Sequence, residues 1–120
     1  MKNIAGLIVD KNTGKVLVIN NNGDWGIPAV SGEKFETSYD TALREFWAQY
    51  NVILNNYVYV GKFKKDKLHL FYTILEEIPE IKGNLGNSVG SYDWRPVGNY
   101  LPPKMLEAYR KKIKEHESEK

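Results

Sequence analysis

The sequence predicts an α/β sandwich, a mixed β-sheet with helices packed on it. Three observations carry that prediction. Ile4 to Val9 and Lys15 to Asn20 are nearly continuous apolar runs rich in β-branched residues, as strands buried on both faces are. Ser38 to Tyr50 and Met105 to about Lys114 repeat their apolar residues at helical spacing. Between them, Tyr57 to Leu75 reads as a hairpin. Strands, helix, strands, helix around one mixed sheet is a layered α/β arrangement.

In chain order, the two early strands are joined by Asp10-Lys-Asn-Thr-Gly14, where Gly supplies a positive φ for the turn. Asn20 to Asp24 is turn-rich and leads to a short apolar turn, Trp25 to Pro28. Ser31 to Glu36 reads as a small acidic loop. Ser38 is the expected N-cap of the first helix, since its hydroxyl can accept from a free first-turn amide, and Asp40 suits the positive end of the helix dipole. Ala42, Phe46 and Tyr50 form an apolar stripe, while Thr41, Arg44, Glu45, Ala48 and Gln49 gather on a neighbouring face. Asn51 is expected to end the helix in the left-handed conformation.

Tyr57 to Phe63 and Leu68 to Leu75 form the hairpin, with charged Lys64-Lys-Asp-Lys67 at its tip. Glu76 to Tyr92 is long, polar and rich in Gly and Asn, the pattern of a functional or disordered loop. Asp93 to Val97 reads as a last short strand. Pro102-Pro103 mark the start of the closing helix, and His116 to Lys120 are expected to fray.

Bulk properties bound the function. A chain of 120 residues is expected to form one domain with a single core. Its 42% apolar and 27% charged residues are ordinary for a globular protein, and a net charge of +2 does not by itself imply a nucleic-acid partner. The absence of cysteine excludes disulfides, thiol catalysis and cysteine-ligated zinc. No apolar run approaches a membrane span and no signal pattern opens the chain, so no membrane partner and a cytoplasmic location are expected.

The stretch from Trp25 to Val52 carries more specific information. Glu36, Arg44-Glu45, Phe46 and Val52 stand at the spacing of the Nudix box, G-x5-E-x7-R-E-U-x-E-E-x-G-U, with U a bulky apolar residue. Trp25 and Pro28 match the W-x-x-P that often precedes the box, and Asp93-Trp94 resembles the last strand of Nudix domains. The chain is therefore similar to the Nudix (MutT-like) hydrolase superfamily, with a degenerate box. Val30 stands at the first Gly, Ala29 at the Gly before it, Ala48-Gln49 at the Glu-Glu pair and Asn51 at the closing Gly. The fold this implies is an α/β/α sandwich around a mixed sheet.

The resemblance implies cleavage of a diphosphate linked to another moiety, typically a nucleoside, with Mg²⁺ or Mn²⁺. Hard cations held by carboxylates neutralise phosphate oxygens and activate water. Carboxylates at i, i+3 and i+4 project from one helix face. Here those positions are Glu45, Ala48 and Gln49, so one ionised ligand remains of three. Carried over, the catalytic set is Glu45, Glu36 and Arg44, the last as a brace pairing with Glu36. The metal set is Glu45, Glu33, Glu36 and, weakly, Gln49. A further glutamate could come from Glu76, Glu77 or Glu80. The family's Gly at the position of Val30 turns tightly, and a β-branched residue resists that backbone where φ is positive.

Tyr57, Tyr59, Phe63, Phe71 and Tyr72 could line an aromatic pocket for a base, or simply form a sheet face. Tyr59, Phe71 and Glu80 are the ligand-binding candidates. His69 reads as a structural residue, and the Arg110 to Lys114 cluster as a solvated helix face, with a phosphate or RNA contact as the alternative. Two classes of function stay open. One is a Nudix-fold module that binds a nucleotide-type small molecule or a protein partner, with hydrolysis weakened or lost at Ala48-Gln49. The other is an active metal-dependent hydrolase. The resemblance also allows a homodimer.

Overall fold

The computed structural model describes residues 2–33, 35–82 and 90–118. In chain order its elements are β1 (Lys2–Asp10), β2 (Val16–Asn21), β3 (Asp24–Gly26), β4 (Ala29–Gly32), α1 (Ser38–Tyr50), β5 (Val58–Phe63), β6 (Leu68–Leu75), β7 (Tyr92–Arg95), a 3-10 turn (Val97–Asn99) and α2 (Pro103–Ser118).

β1 is the centre of one mixed sheet. It runs parallel to β6 from Ile4↔His69 to Asp10↔Leu75. On its other edge it meets β2 at Val9↔Val16 and β4 from Lys2↔Gly32 to Ala5↔Ala29. β1 and β2 therefore splay apart after their hairpin. β3 lines β2 and β4 lines β1 inside the resulting wedge. β7 covers the outer edge of β2, and β5 closes the far edge on β6.

Strand residues alternate between two cores, as a period of two requires. Ile4, Ile8, Leu17, Ile19 and Phe71 face α1, where they pack with Ala42, Phe46 and Val52. Ala5, Leu7, Val9, Val16, Val18, Leu70 and Tyr72 face α2, where they pack with Leu101, Met105 and Tyr109. Removing a side chain the size of Phe46 from water contributes roughly 1.5–3 kcal/mol. The sequence-level α/β/α sandwich is the observed one.

Two glycines let the α1 layer come this close. A Cβ on Gly6 would sit 2.5 Å from Phe71 Cζ and 2.7 Å from Phe46 Cζ. A Cβ on Gly32 would collide with Thr41 Oγ1. β4 is thus pressed onto the first turns of the helix.

The structure corrects several expectations. Trp25 to Pro28 is not simply a turn: Trp25 and Gly26 belong to β3, β4 follows at Ala29, and Gly6 N–H donates to Pro28 O at 3.0 Å. These strands are three and four residues long, too short to carry a readable alternation. The N-cap is Thr37, one residue before Ser38, and its hydroxyl accepts from Asp40 N–H at 3.1 Å. α2 starts at Pro103 and runs to Ser118, past His116. The His116 ring lies edge-on to Tyr72, with centroids 6.3 Å apart. Asn51 does end α1 as expected, with φ 61° and ψ 31°. Most of the Gly- and Asn-rich part of the 76–92 segment, residues 83–89, lies outside the described residues.

Candidate functional site

The site starts from the turn that feeds α1. Glu36 N–H donates to Glu33 O at 3.2 Å, and Glu33 N–H returns a hydrogen bond to Glu36 Oε1 at 2.8 Å. This turn fixes the Glu36 carboxylate over the helix, two turns before Arg44. Arg44 Nε donates to Glu36 Oε2 at 2.9 Å and Arg44 Nη2 to Oε1 at 2.7 Å. Such a two-point grip matches the planar fork of guanidinium to carboxylate. Thr41 Oγ1, buried under Gly32, adds a third donor to Oε1 at 3.2 Å. The Arg44 guanidinium, then the Glu33 amide, hold the Glu36 carboxyl well below its usual range, at about 2. The two carboxylates in turn raise the Arg44 pKa.

Glu45 is tied from both sides. Arg44 Nη1 donates to its Oε1 at 2.5 Å, and Gln49 Nε2 to its Oε2 at 2.7 Å. Its side chain is only 17% exposed. Burial, and secondarily the Glu45 charge, push the Tyr50 phenol pKa up. Ala48, the third position of this face, is 7% exposed.

The structure thus brings Glu36, Arg44, Glu45 and Gln49 into one connected array, and Thr41 with them. Glu33 joins through its backbone. Glu80 does not join. Its carbonyl accepts from Asn51 Nδ2 at 3.1 Å, at the opposite end of α1, and its exposed carboxylate faces Lys82 at 3.7 Å. Glu76 pairs with Lys11 at 3.0 Å. Among the described residues, no three acidic or histidine side chains come together as a metal site.

In this structure the carboxylates are engaged by N–H donors rather than gathered as an open cation site. Each Glu45 oxygen accepts from an N–H, and one guanidinium, Arg44, is shared between Glu36 and Glu45. Position 49 turns its amide NH₂, a donor, to the Glu45 carboxylate.

The aromatic candidates are divided by the sheet. Phe71 is fully buried, between Tyr57 at 4.8 Å and Phe46 at 5.1 Å between ring centroids, and offers no surface to a ligand. Phe63 and Tyr72 lie in the other core, on the α2 side. A register shift between Tyr59 and Gly61 reverses the side-chain alternation along β5, so Phe63 and Tyr59 do not share a face. Tyr59 is 39% exposed, and its hydroxyl meets His69 Nδ1 at 2.8 Å. Trp25 is stacked by the Arg95 guanidinium, 4.0 Å from the ring centre, so its face is already occupied.

No family model matches the sequence, and no curated relative is found. Solved structures do match. An Ap4A hydrolase from C. elegans superposes with a TM-score of 0.69 at 13% identity, over 98% of this chain and 99% of that one. The Nudix domain of NrtR from Shewanella oneidensis, complexed with ADP ribose, gives 0.65 at 14% identity over 94% and 88%. Dihydroneopterin triphosphate pyrophosphohydrolase from E. coli gives 0.62 at 16% identity over 88% and 90%.

The chain has the Nudix fold.

Within that fold, Val30 and Asn51 sit in well-defined local surroundings. Val30 is a buried strand residue of β4, paired with Ile4, and is not among the residues with positive φ. The expected conflict between a β-branched residue and a tight turn at this position does not arise, because the backbone is extended there. The close approach that only glycine permits falls at Gly32 instead. Asn51 forms the left-handed cap of α1, with its N–H directed to Phe46 O and Trp47 O.

Proposed function

We propose that this Nudix-fold protein binds a nucleoside-diphosphate-linked ligand, or a protein partner, with diphosphate hydrolysis weakened or lost. One observation carries the reading: the Glu45 carboxylate is held between the Arg44 guanidinium and the Gln49 amide. Hydrolysis of a diphosphate by hard-cation chemistry requires anionic oxygens free to ligate. At positions 45, 48 and 49 the helix carries one carboxylate, and that carboxylate is engaged. Glu33 and Glu36 are the other acidic residues of the expected metal set, and Glu36 serves Arg44. The fold neighbour that holds ADP ribose supports the ligand class. Tyr59 is the accessible aromatic residue of β5 that we assign to the ring of such a ligand.

A second reading keeps the enzyme. Glu36, Arg44 and Glu45 are assembled at the box spacing, and a loaded Mg²⁺ or Mn²⁺ would supply the Lewis acidity that the side chains lack.

Calorimetry with Mn²⁺, with and without ADP ribose, combined with a phosphate-release assay, separates the two. Ligand binding in EDTA without turnover supports the binding module. Metal uptake abolished by Glu45→Gln, with turnover, establishes the hydrolase. Binding of neither nucleotide nor metal directs the search to a protein partner.

A further inference from the structure

We propose a second binding site, for an organic phosphate, in the groove between α2 and the 97–101 turn. It belongs to the α2 side of the sheet and shares no residue with the α1 carboxylate array. It goes beyond the function proposed above and does not depend on it.

The groove is open to solvent and has a volume of about 560 Å³. Small-molecule sites commonly span ~300–1,000 Å³. Its apolar lining comes from Leu101 and Leu106, and its cationic lining from Arg110, Lys111 and Lys114. The helix accounts for the clustering. Arg110 and Lys114 are four residues apart, and Lys111 flanks both, so three positive groups share one side of α2. Among the described residues none of the three has an ion pair, whereas Lys112 on the next flank faces Glu115 at 3.6 Å. Glu107 is the one acidic residue of the lining. Three cations around one carboxylate leave a net positive groove, and mutual repulsion among them is relieved by an anion.

Gly98 brings the turn beside the helix: Arg110 Nη2 lies 4.0 Å from the place a Cβ on Gly98 would take. A guanidinium grips phosphate at two points, and lysines add charge without demanding geometry. The leucine floor suits the ring or apolar portion of the same molecule. A groove of this size accepts one such molecule. It offers no extended track for a nucleic-acid backbone, and the net charge of +2 argues the same way.

The test is amide chemical-shift mapping of the full chain in EDTA, with ADP and with inorganic pyrophosphate as probes. Expected are shifts at Gly98, Leu106, Arg110 and Lys114 with both probes. ADP should also move Leu101. The exposed double variant Arg110→Ala/Lys114→Ala should weaken ADP at these positions by about tenfold or more. Raising the salt from about 50 to about 200 mM should weaken it further.

Shifts confined to α1 and β5 would overturn the second site while supporting the first. Equal binding by the double variant would overturn it too, as would binding of an acidic peptide or an oligonucleotide with no response to ADP. Shifts at α2 with none at α1 would support this site and count against the nucleotide reading of the first.

Discussion

The Gln49 side-chain amide donates to Glu45 Oε2 at 2.7 Å, across one turn of α1. A glutamate at position 49 would be similar in shape but opposite in role, an acceptor facing an acceptor. The contact therefore binds the Glu45 charge internally, where two carboxylates would need a cation between them.

Gln49→Glu should create that need. In metal-free buffer the paired charges should cost roughly 0.2–0.5 kcal/mol, as like charges at i,i+4 do. Mn²⁺ should then raise the melting temperature of the variant more than that of the wild type, since a ligand stabilises only the state it binds. Equal responses would mean that Glu45 and position 49 do not face a common cation site. Adding Ala48→Glu should lower the metal-free stability further, because position 48 is 7% exposed and a charge there loses water.

Acid sensitivity should report on the Glu36–Arg44 grip. The Glu36 carboxyl titrates at about 2 in the folded chain, below its ordinary 4.5. A depressed carboxylate stabilises the fold fully above the unfolded value, and that contribution is lost as pH falls from 4.5 through about 2. Glu36→Gln should flatten the melting-temperature profile within that window and lower the plateau above it. An unchanged profile would show that the grip adds nothing to stability.

Gly6→Ala should destabilise by about 1–3 kcal/mol, the usual cost of forcing a methyl group into a packed core. The new Cβ would meet Phe71 and Phe46 ring carbons at 2.5 and 2.7 Å. Combining it with Phe46→Leu should cost less than the sum of the two single changes, because the smaller side chain frees the space. Additivity in urea denaturation would place the strain elsewhere.

Asn51→Ala should cost roughly 1–2 kcal/mol, since alanine pays the full left-handed penalty at φ 61°. Asn51→Gly should keep α1 intact yet release the segment held through Asn51 Nδ2 and Glu80 O. Hydrogen exchange at Lys82, whose N–H donates to Tyr50 O at 3.3 Å, should quicken in the glycine variant. No change there would mean that the segment is held by other contacts.

Much of the frame was legible because it is local. α1 was readable from residue 38 to residue 50, since its stripe, Asp40 and Asn51 all act within a few residues of one another. β1, β2 and β6 were readable as nearly continuous apolar runs, and the edge strand β5 by its aromatic alternation. β3 and β4 were not. They exist because β1 and β2 part after Val9↔Val16, and nothing within seven short-strand residues encodes that wedge. The same holds for Gly32, whose contact with Thr41 joins two elements.

The site divides the same way. The sequence by itself determined that Glu45, Ala48 and Gln49 share a helix face with one carboxylate among them, because helical spacing follows from residue order. Only the tertiary structure decided how those groups are spent. The turn at Glu33 to Glu36 folds back over α1, so a single guanidinium reaches both Glu36 and Glu45. The bulge between Tyr59 and Gly61 sends the aromatic residues of β5 to opposite faces. Spacing along the chain sets which side chains lie near one another within an element. Which of them meet across elements depends on register and packing, where a shift of one residue moves a side chain from one layer to the other.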